Sequence, residues 1–337
     1  MKANAIYRGA TLPWIITALL VTTAGCGLKL RRINTSVQRP SNIAVYFAVE
    51  THNGFPVAGL EAKKFRIYEG GQLISPYESK QTILNPDVAV SHDILLLLDL
   101  SGSIVQSGSL PNLIAAANIF AGRVAKKNKV AVYGFDGRKQ LIPLVSFTSD
   151  IATVQSGLDR LKSHKVRDPS TNLNGALVHA TTALEKQMAH ATQPLRFGTI
   201  VVFTDGTDRA HRITAKQMFE RLDKSSVNVF VIGLGAEIDG SQLSRIGRDG
   251  FVKATDKQSM TNAFTRVAQR IEAAGRKFYL LSYCSPARAG KHRLRIEVTY
   301  DGKSGSLEHE FDARGFGPNC DPKRKPSFSL RQVRLKK

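Results

Sequence analysis

The start of the sequence lacks the long hydrophobic run that a membrane-spanning helix needs. The apolar segment Leu12–Val21 is ten residues long, which is too short to cross a hydrocarbon layer of ~30 Å. It follows Lys2 and Arg8 with no acidic residue before it, an arrangement typical of an export signal. The sequence therefore predicts an exported chain.

Acidic residues are scarce as well. The 337 residues contain 27 Asp and Glu against 48 Lys and Arg, which gives a net charge of +21. A basic excess of this size indicates an anionic neighbour such as nucleic acid, phospholipid or lipopolysaccharide. Because an exported chain does not meet nucleic acid, we expect the charge to face anionic components of a cell envelope. The apolar content of 42% is that of a globular protein.

Cysteine is rare, with three residues in the chain. The segment Thr22–Cys26 reads TTAGC and resembles the lipobox of bacterial lipoproteins, which implies cleavage before Cys26 and lipidation of its thiol. A plain secretory signal is the alternative. We expect Cys284 and Cys320 to form one disulfide in an oxidising compartment, and two free buried thiols are the alternative. No close Cys or His pair accompanies either residue, which argues against a zinc site.

Motifs of several enzyme classes are missing. The sequence has no G-x-S-x-G nucleophile motif and no P-loop. His309 and Glu310 are followed by Phe-Asp-Ala, so they do not form the H-E-x-x-H zinc motif. We therefore expect no enzymatic activity, with a metal-dependent hydrolase as the less favoured alternative.

Between residues 90 and 275, buried strands alternate with amphipathic helices. The pattern predicts strands at Asp93–Leu98, Lys129–Phe135, Leu141–Val145, Gly198–Thr204, Val227–Leu234 and Gly250–Ala254. It predicts helices at Leu110–Lys127, Asp150–Leu161 with Ser149 as N-cap, Leu173–Ala189, Thr214–Asp223 and Lys257–Ala274. Such alternation predicts an α/β fold with a doubly wound, mostly parallel sheet.

Two segments rich in strand patterns, 41–88 and 276–320, flank this domain. They form either separate β units or one accessory β-sandwich into which the α/β domain is inserted, and we favour the shared sandwich. The remaining divisions that we predict are a signal peptide at 1–25, a lipidated cysteine and tether at 26–40, and a solvated basic tail at 321–337.

Oxygen-bearing side chains stand at the predicted carboxyl ends of two strands. Asp99, Ser101 and Ser103 follow the strand Asp93–Leu98 at alternating positions, and their side chains can converge if the loop is extended. Asp205 follows the strand Gly198–Thr204 directly. Ligands of doubly wound sheets bind at this edge, so the pattern indicates a site that takes hard, oxygen-binding cations.

The order Asp-x-Ser-x-Ser, then Thr, then Asp resembles the metal-ion-dependent adhesion site of the von Willebrand factor A family. The resemblance covers roughly residues 90–275, and the matching residues are Asp99, Ser101, Ser103, Thr171 and Asp205. It implies a bound Mg²⁺, for which Mn²⁺ can substitute, and a protein partner that supplies an Asp or Glu carboxylate. Asp208 is either a further acid behind these ligands or the N-cap of the next helix.

We therefore expect a lipid-anchored, exported binding or adhesion module of a bacterial cell envelope. Gly27 stands where inner-membrane lipoproteins commonly have Asp, which favours the outer membrane. Gln106 and Asn172 are candidates for choosing the partner because they are close in sequence to the predicted ligands. The alternative is a structural envelope protein that binds peptidoglycan or lipopolysaccharide electrostatically.

Overall fold

The computed structural model describes residues 27–84, 90–193, 195–235, 240–328 and 331–332. The predicted signal peptide and Cys26 lie outside the described residues, and so does the end of the basic tail at 333–337. Among the helices that the structure describes, none is both long and apolar enough to cross a membrane.

The predicted strands and helices between residues 90 and 276 are present, together with two short helices, Gly102–Gln106 and Gly240–Ile246, that the pattern did not predict. The strands are β1 (Leu28–Gln38), β2 (Asn42–Thr51), β3 (Phe65–Glu69), β4 (Gln72–Leu73), β5 (Thr82–Leu84), β6 (Val90–Asp99), β7 (Lys129–Phe135), β8 (Ile142–Thr148), β9 (Leu195–Thr204), β10 (Asn228–Leu234), β11 (Gly250–Ala254), β12 (Phe278–Cys284), β13 (Lys291–Tyr300), β14 (Lys303–Asp312) and β15 (Arg331–Gln332). The α-helices are α1 (Gly102–Gln106), α2 (Leu110–Val124), α3 (Ile151–Asp159), α4 (Leu173–Ala189), α5 (Ala215–Asp223), α6 (Gly240–Ile246) and α7 (Lys257–Arg276).

The central sheet has the strand order β11-β10-β9-β6-β7-β8, and β15 pairs with β9. The pairs from β11 to β7 are parallel, while the edge strand β8 is antiparallel to β7. Ile94, Leu96 and Leu98 contact one layer of helices, which contains α2, α3 and α7. Leu95 and Leu97 face the other layer, which contains α4, α5 and α6. Because side chains alternate along a strand, both faces of β6 are buried, and the predicted doubly wound fold is confirmed.

The two flanking segments form one shared sandwich. One sheet has the order β1-β2-β12-β5 and the other the order β14-β13-β3-β4. Strands from before the α/β domain thus pair with strands from after it, since β12 pairs with β2 and β13 pairs with β3. The α/β domain is therefore an insertion in the sandwich, and the favoured arrangement is confirmed.

The sandwich lies against the end of the central sheet where the parallel strands begin. Tyr46 and Phe278, on the outer face of the sheet containing β2, cluster with Leu195 and Phe197 at the start of β9. The ring centroids of Phe197 and Phe278 are 5.4 Å apart. The carboxyl edge of the central sheet, where the predicted ligands stand, is consequently remote from this interface.

The segment predicted as a tether is different in the structure. Leu28–Gln38 is strand β1 and pairs antiparallel with β2 along its length, with a register shift between Arg32 and Asn34. Leu28 and Ile33 are buried while Lys29 and Arg32 are exposed. Lys29 and Arg32, two of the basic residues that suggested a solvated tether, are outward side chains of an edge strand, where charged residues are typical.

The C-terminal segment also differs from its prediction. Phe328 is buried, and the backbone N–H of Ser327 donates to the Ser36 hydroxyl at 2.9 Å. Within the described residues, the tail therefore folds back onto the sandwich. The predicted disulfide between Cys284 and Cys320 is confirmed, with Cα atoms 5.7 Å apart. Closing a loop of 36 residues stabilises the fold by about 4 kcal/mol in the chain-entropy model.

One predicted helix cap is wrong by a residue. Asp150, not Ser149, is the N-cap of α3, and its carboxylate accepts hydrogen bonds from the backbone N–H groups of Ala152 and Thr153. A carboxylate can serve two adjacent N–H groups at once and is further stabilised by the helix dipole.

Candidate metal centre

The predicted ligands meet at the carboxyl edge of two neighbouring parallel strands. Asp99 is the last residue of β6, and Asp205 follows Thr204, the last residue of β9. The two strands are paired in register, with Leu98 opposite Phe203. Their carboxyl ends therefore bring Asp99 and Asp205 to the same side of the sheet.

The first loop turns into a helix sooner than the sequence suggested. The backbone N–H of Ser101 donates to Asp99 Oδ1 at 2.9 Å, and α1 begins at Gly102. Ser103 is thus in the first turn of a helix, whereas we expected an extended loop. In place of an extended loop, the chain forms a turn in which the Asp99 carboxylate accepts a hydrogen bond from the backbone two residues later.

A chain of hydrogen bonds links four of the predicted ligands, Asp99, Ser101, Ser103 and Asp205. The Ser101 and Ser103 hydroxyl oxygens are 3.2 Å apart. The Ser103 hydroxyl donates to Asp205 Oδ1 at 3.0 Å. Together with the bond between Ser101 and Asp99, these contacts form a continuous cluster of hydroxyl and carboxylate oxygens.

Thr171 belongs to the α3–α4 loop, which forms backbone hydrogen bonds with both of the other loops. Its carbonyl accepts hydrogen bonds from the backbone N–H groups of Arg209 and Ala210, at 2.8 and 3.0 Å. On the other side, Gly102 N–H donates to the carbonyl of Pro169 at 3.0 Å. A Cβ atom at position 102 would lie 2.8 Å from Pro169 Cβ, so glycine allows this close approach. All three predicted loops are tied to one another by the main chain and by the Ser103–Asp205 bond.

Burial decreases from the floor of the cluster towards the solvent. Asp99 and Ser101 have no exposed surface and Thr171 is 4% exposed. Asp205 is half-buried and Ser103 is exposed. The cluster therefore has a buried carboxylate at its base and opens to solvent through Ser103 and Asp205.

Without a bound cation, the ionised forms of both carboxylates are disfavoured by their burial. Burial raises the pKa of Asp99 to about 6, hydrogen bonds from Ser101 and Thr204 oppose that shift, and the charge of Asp205 adds to it. Burial also raises the pKa of Asp205, against the effects of Ser103 and the Arg209 charge. Among the described residues, no Lys, Arg or His nitrogen lies within 4.0 Å of either carboxylate.

Thr204 is a residue of the site that the sequence reasoning missed. Its hydroxyl donates to Asp99 Oδ2 at 2.6 Å, and it also lies 3.1 Å from the carbonyl of Gly206. It holds the second oxygen of the buried carboxylate from the neighbouring strand. A hydroxyl residue that ends an otherwise apolar strand, directly before Asp205, was the signal that could have identified it.

Asp208 serves the preceding helix rather than the next one. Its carboxylate accepts hydrogen bonds from the backbone N–H groups of Asn174 and His211, both at 3.0 Å. Asn174 lies in the first turn of α4, while the N-cap of α5 is Thr214 in a capping box. The N-cap alternative for the next helix is therefore wrong, because the contact depends on tertiary proximity to α4.

The two candidates for partner choice have different environments. Asn172 is 2% exposed, and its side chain is engaged within the fold. Its side chain accepts a hydrogen bond from Gly175 N–H as the N-cap of α4 and donates to the carbonyl of Arg138 at 2.8 Å. Gln106, at the end of α1, is exposed and remains a prediction.

The side chains present fit a hard divalent cation. The side chains of all five predicted ligands offer oxygen donors, two carboxylates and three hydroxyls, which Mg²⁺ and Mn²⁺ prefer over nitrogen or sulfur donors. A buried carboxylate beside a second carboxylate gains stability from a bound cation, because the cation offsets both the desolvation and the repulsion.

Comparison with known proteins agrees with this architecture. The model of the von Willebrand factor type A domain matches residues 93–279, which is more than half of the chain. None of the curated proteins matches the sequence.

Solved structures of low identity are similar to parts of the chain. A von Willebrand factor type A protein from Catenulispora acidiphila is 10% identical, with a TM-score of 0.45 over 87% of this chain and 75% of that one. The manganese-loaded TRAP protein of Plasmodium vivax is 14% identical, with a TM-score of 0.46, and the match covers 75% of this chain and 99% of that one. Proximal thread matrix protein 1 of the mussel byssus, with a zinc-occupied MIDAS motif, is 16% identical, with a TM-score of 0.44. That match covers 61% of this chain and 49% of the mussel protein.

The match of the family model extends over the central sheet apart from β15, its helices and all three loops of the oxygen cluster. The chain therefore belongs to the von Willebrand factor type A domain family.

Proposed function

We propose that the chain is a binding module whose recognition of a protein partner depends on a divalent cation. Asp99, Ser101, Ser103, Thr171 and Asp205 would hold the cation, with Mg²⁺ as the resident ion and Mn²⁺ as a substitute. The bound cation would supply a positive centre for an Asp or Glu carboxylate of the partner. The chain itself would bind and would not catalyse a reaction.

The observation that carries this proposal is the pair of carboxylates at the carboxyl edge of the sheet. Asp99 is completely buried, Asp205 is tied to it through Ser103 and Ser101, and burial raises the pKa of both. A fold that needed these acids only for stability would gain from a Lys or Arg in direct contact with them, and among the described residues none lies within 4.0 Å of either one. The cluster also opens to solvent at Ser103, where a partner could reach it.

We further propose that the chain acts outside the cytoplasm, anchored to a bacterial envelope membrane through lipid on Cys26. The Thr22–Cys26 pattern supports this location. The disulfide between Cys284 and Cys320 also supports it, since disulfides persist in oxidising compartments.

The test is a calorimetric titration of the purified chain with Mg²⁺ and with Mn²⁺, beside the variant Asp205→Ala. We expect saturable binding of both ions to the parent and none to the variant. Asp159→Asn is the matched control, because Asp159 ends α3, outside the three loops of the cluster, and its exposed side chain pairs with Lys162 at 2.8 Å. This control should bind both ions as the parent does.

Equal binding by the parent and Asp205→Ala would contradict the proposed ligand set. An absence of binding in the parent, together with partner capture that is indifferent to a chelator, would contradict the metal-dependent function itself.

A further inference from the structure

The exposed charge around the oxygen cluster has one sign. Lys139, Lys165, Arg167 and Arg209 are exposed and lie on the loops β7–β8, α3–α4 and β9–α5. Among the described residues, no carboxylate oxygen lies within 4.0 Å of their charged nitrogens. We call these four residues the cationic rim.

The acids on the same loops do not neutralise the rim. Asp136 is buried and pairs with Arg138 at 3.0 Å, and Asp208 is buried against backbone N–H groups. Asp168 is half-buried and pairs with Arg212. What a partner would meet around Ser103 and Asp205 is therefore positive charge.

An apolar groove begins beside this rim. It has a volume of about 680 Å³ and lies between the edge hairpin β7–β8 and helix α4. We call it the edge groove and define it by the residues Tyr133, Leu141, Pro143, His179 and Ala183, which line it. Tyr133, Leu141 and Ala183 contact the core cluster below but are only partly buried, so this end of the core is left uncovered by the helices.

The edge groove is continuous with the loops of the oxygen cluster. Asn172 lines the groove and directly follows the predicted ligand Thr171. Lys139 of the rim lines the groove, as does Arg212. Arg212 is fixed there by a hydrogen bond to the carbonyl of Gly137, at 2.5 Å, and by the pair with Asp168.

From these observations we infer that the partner presents an acidic segment with one large apolar side chain. The apolar side chain occupies the edge groove, a carboxylate beside it meets the oxygen cluster, and further acids face the cationic rim. This inference rests on the proposed function for the carboxylate contact. An anionic polysaccharide would satisfy the rim, but it has no side chain for the walls formed by Tyr133, Leu141 and Pro143.

The probe is a displayed library of random twelve-residue peptides, selected on the purified chain in Mg²⁺. We expect the recovered peptides to be enriched in Asp and Glu together with Leu, Ile, Phe or Trp. Synthetic copies of the strongest binders are then measured by calorimetry, in Mg²⁺ and in a chelator, against the parent and its variants.

Two variants test the groove and the rim separately. Ala183→Phe fills the groove and should weaken binding about tenfold or more, because burial of one apolar side chain is lost. Lys139→Glu reverses one charge of the rim and should weaken binding about fivefold at low salt. The matched control is Lys126→Glu, which reverses an exposed charge beyond the end of α2 and should leave peptide binding unchanged. Mg²⁺ affinity should be the same in Ala183→Phe and the parent, which verifies that the variant is folded.

The outcomes separate this inference from the proposed function. Peptides that need Mg²⁺ but bind Ala183→Phe as tightly as the parent would overturn the groove and leave the proposed function standing. Peptides that lose affinity in Ala183→Phe but ignore the chelator would support the groove and contradict the metal-dependent function. Recovery of peptides that lack acidic residues would overturn the inference. Peptide binding that is weakened by salt, but has the same affinity in the parent and in every variant, would also overturn it.

Discussion

Two regions of the molecule bury carboxylates in opposite ways. In the sandwich, Glu50 pairs with the ammonium group of Lys277. Glu69 accepts hydrogen bonds from the hydroxyls of Tyr283 and Ser285, at 2.8 and 2.9 Å. At the carboxyl edge of the central sheet, Asp99 also accepts a hydrogen bond from a hydroxyl, that of Thr204, but the charge of a second carboxylate, Asp205, acts against its ionised form.

The difference separates a structural use of acids from a functional one. The sandwich supplies a counter-charge or donors for its acids from its own residues, and the pair of Glu50 and Lys277 joins the end of α7 to strand β2. The edge of the sheet leaves two acids together, which costs stability unless a cation binds. Sites of this kind are where proteins accept local instability in return for binding.

The largest effect should come from the sandwich. Lys277→Met leaves Glu50 buried, 5% exposed, with its counter-charge removed. We expect the free energy of unfolding to fall by about 3–5 kcal/mol, because an unpaired buried charge is strongly destabilising. Urea unfolding of the parent and the variant measures the change.

The control for that prediction is the double variant Glu50→Gln/Lys277→Met. It removes both charges and should recover much of the lost stability. A single variant as stable as the parent would mean that Glu50 does not depend on Lys277, and the contrast between the two regions would not hold.

A smaller effect should appear at the oxygen cluster, as a dependence of stability on pH. The pKa of Asp99 is about 6 in the metal-free fold, against an ordinary value of ~3.9. A raised pKa means that the folded state holds the proton more tightly, so this contribution to stability is complete below pH ~4 and is lost as the pH rises through 6. In a chelator, the stability of the parent relative to Asp99→Asn should therefore fall by about 2–3 kcal/mol between pH 4 and pH 7.

The free energy of unfolding measured at pH 7 with added Mg²⁺ tests whether a cation offsets the cost of burying Asp99. A cation that binds only the folded chain stabilises it by about 2.7 kcal/mol at a hundred times its dissociation constant. The parent should show this gain and Asp99→Asn should not. A difference between parent and variant that is constant from pH 4 to pH 7 would show that burial does not shift the titration of Asp99.

The smallest effect is expected for Glu69→Gln. The hydroxyls of Tyr283 and Ser285 can each donate or accept, so they can adapt to an amide, and we expect a loss of about 1 kcal/mol. Mg²⁺ affinity, measured by calorimetry, should not change. A weaker Mg²⁺ affinity in this variant would mean that the sandwich and the oxygen cluster are coupled, and that they are not the independent regions described above.

Local patterns in the sequence predicted the strands and the longer helices of the central domain, although not the short helices α1 and α6. The run Ile94–Leu98 is apolar at every position, which predicts a strand buried on both faces, and the order of the three loops predicted the oxygen cluster. Patterns failed where a contact joins distant residues. Thr204 reaches Asp99 because two strands far apart in sequence pair in register, and Asp208 reaches α4 for a similar tertiary reason.

Polar composition was misleading at both ends of the described chain. Leu28–Gln38 has basic residues between its apolar ones, and only its pairing with β2 makes it a strand rather than a tether. The segment that ends in Phe328 was predicted as solvated, although Phe328 is buried beside the sandwich. An edge strand or a docked tail gains its stability from surfaces that are supplied by the rest of the chain.

By itself, the sequence determined the alternation of strands and helices, the identity of the oxygen-bearing residues and their order along the chain. Those properties depend on hydrophobic periodicity and on residue chemistry, which are local. Only the tertiary structure decided that the acids of the sandwich have partners, that Asp99 is buried beside Asp205 among hydroxyl groups, and that an apolar groove opens next to Thr171. These features arise where loops and strands that are distant in sequence come together, and burial and electrostatics depend on that proximity.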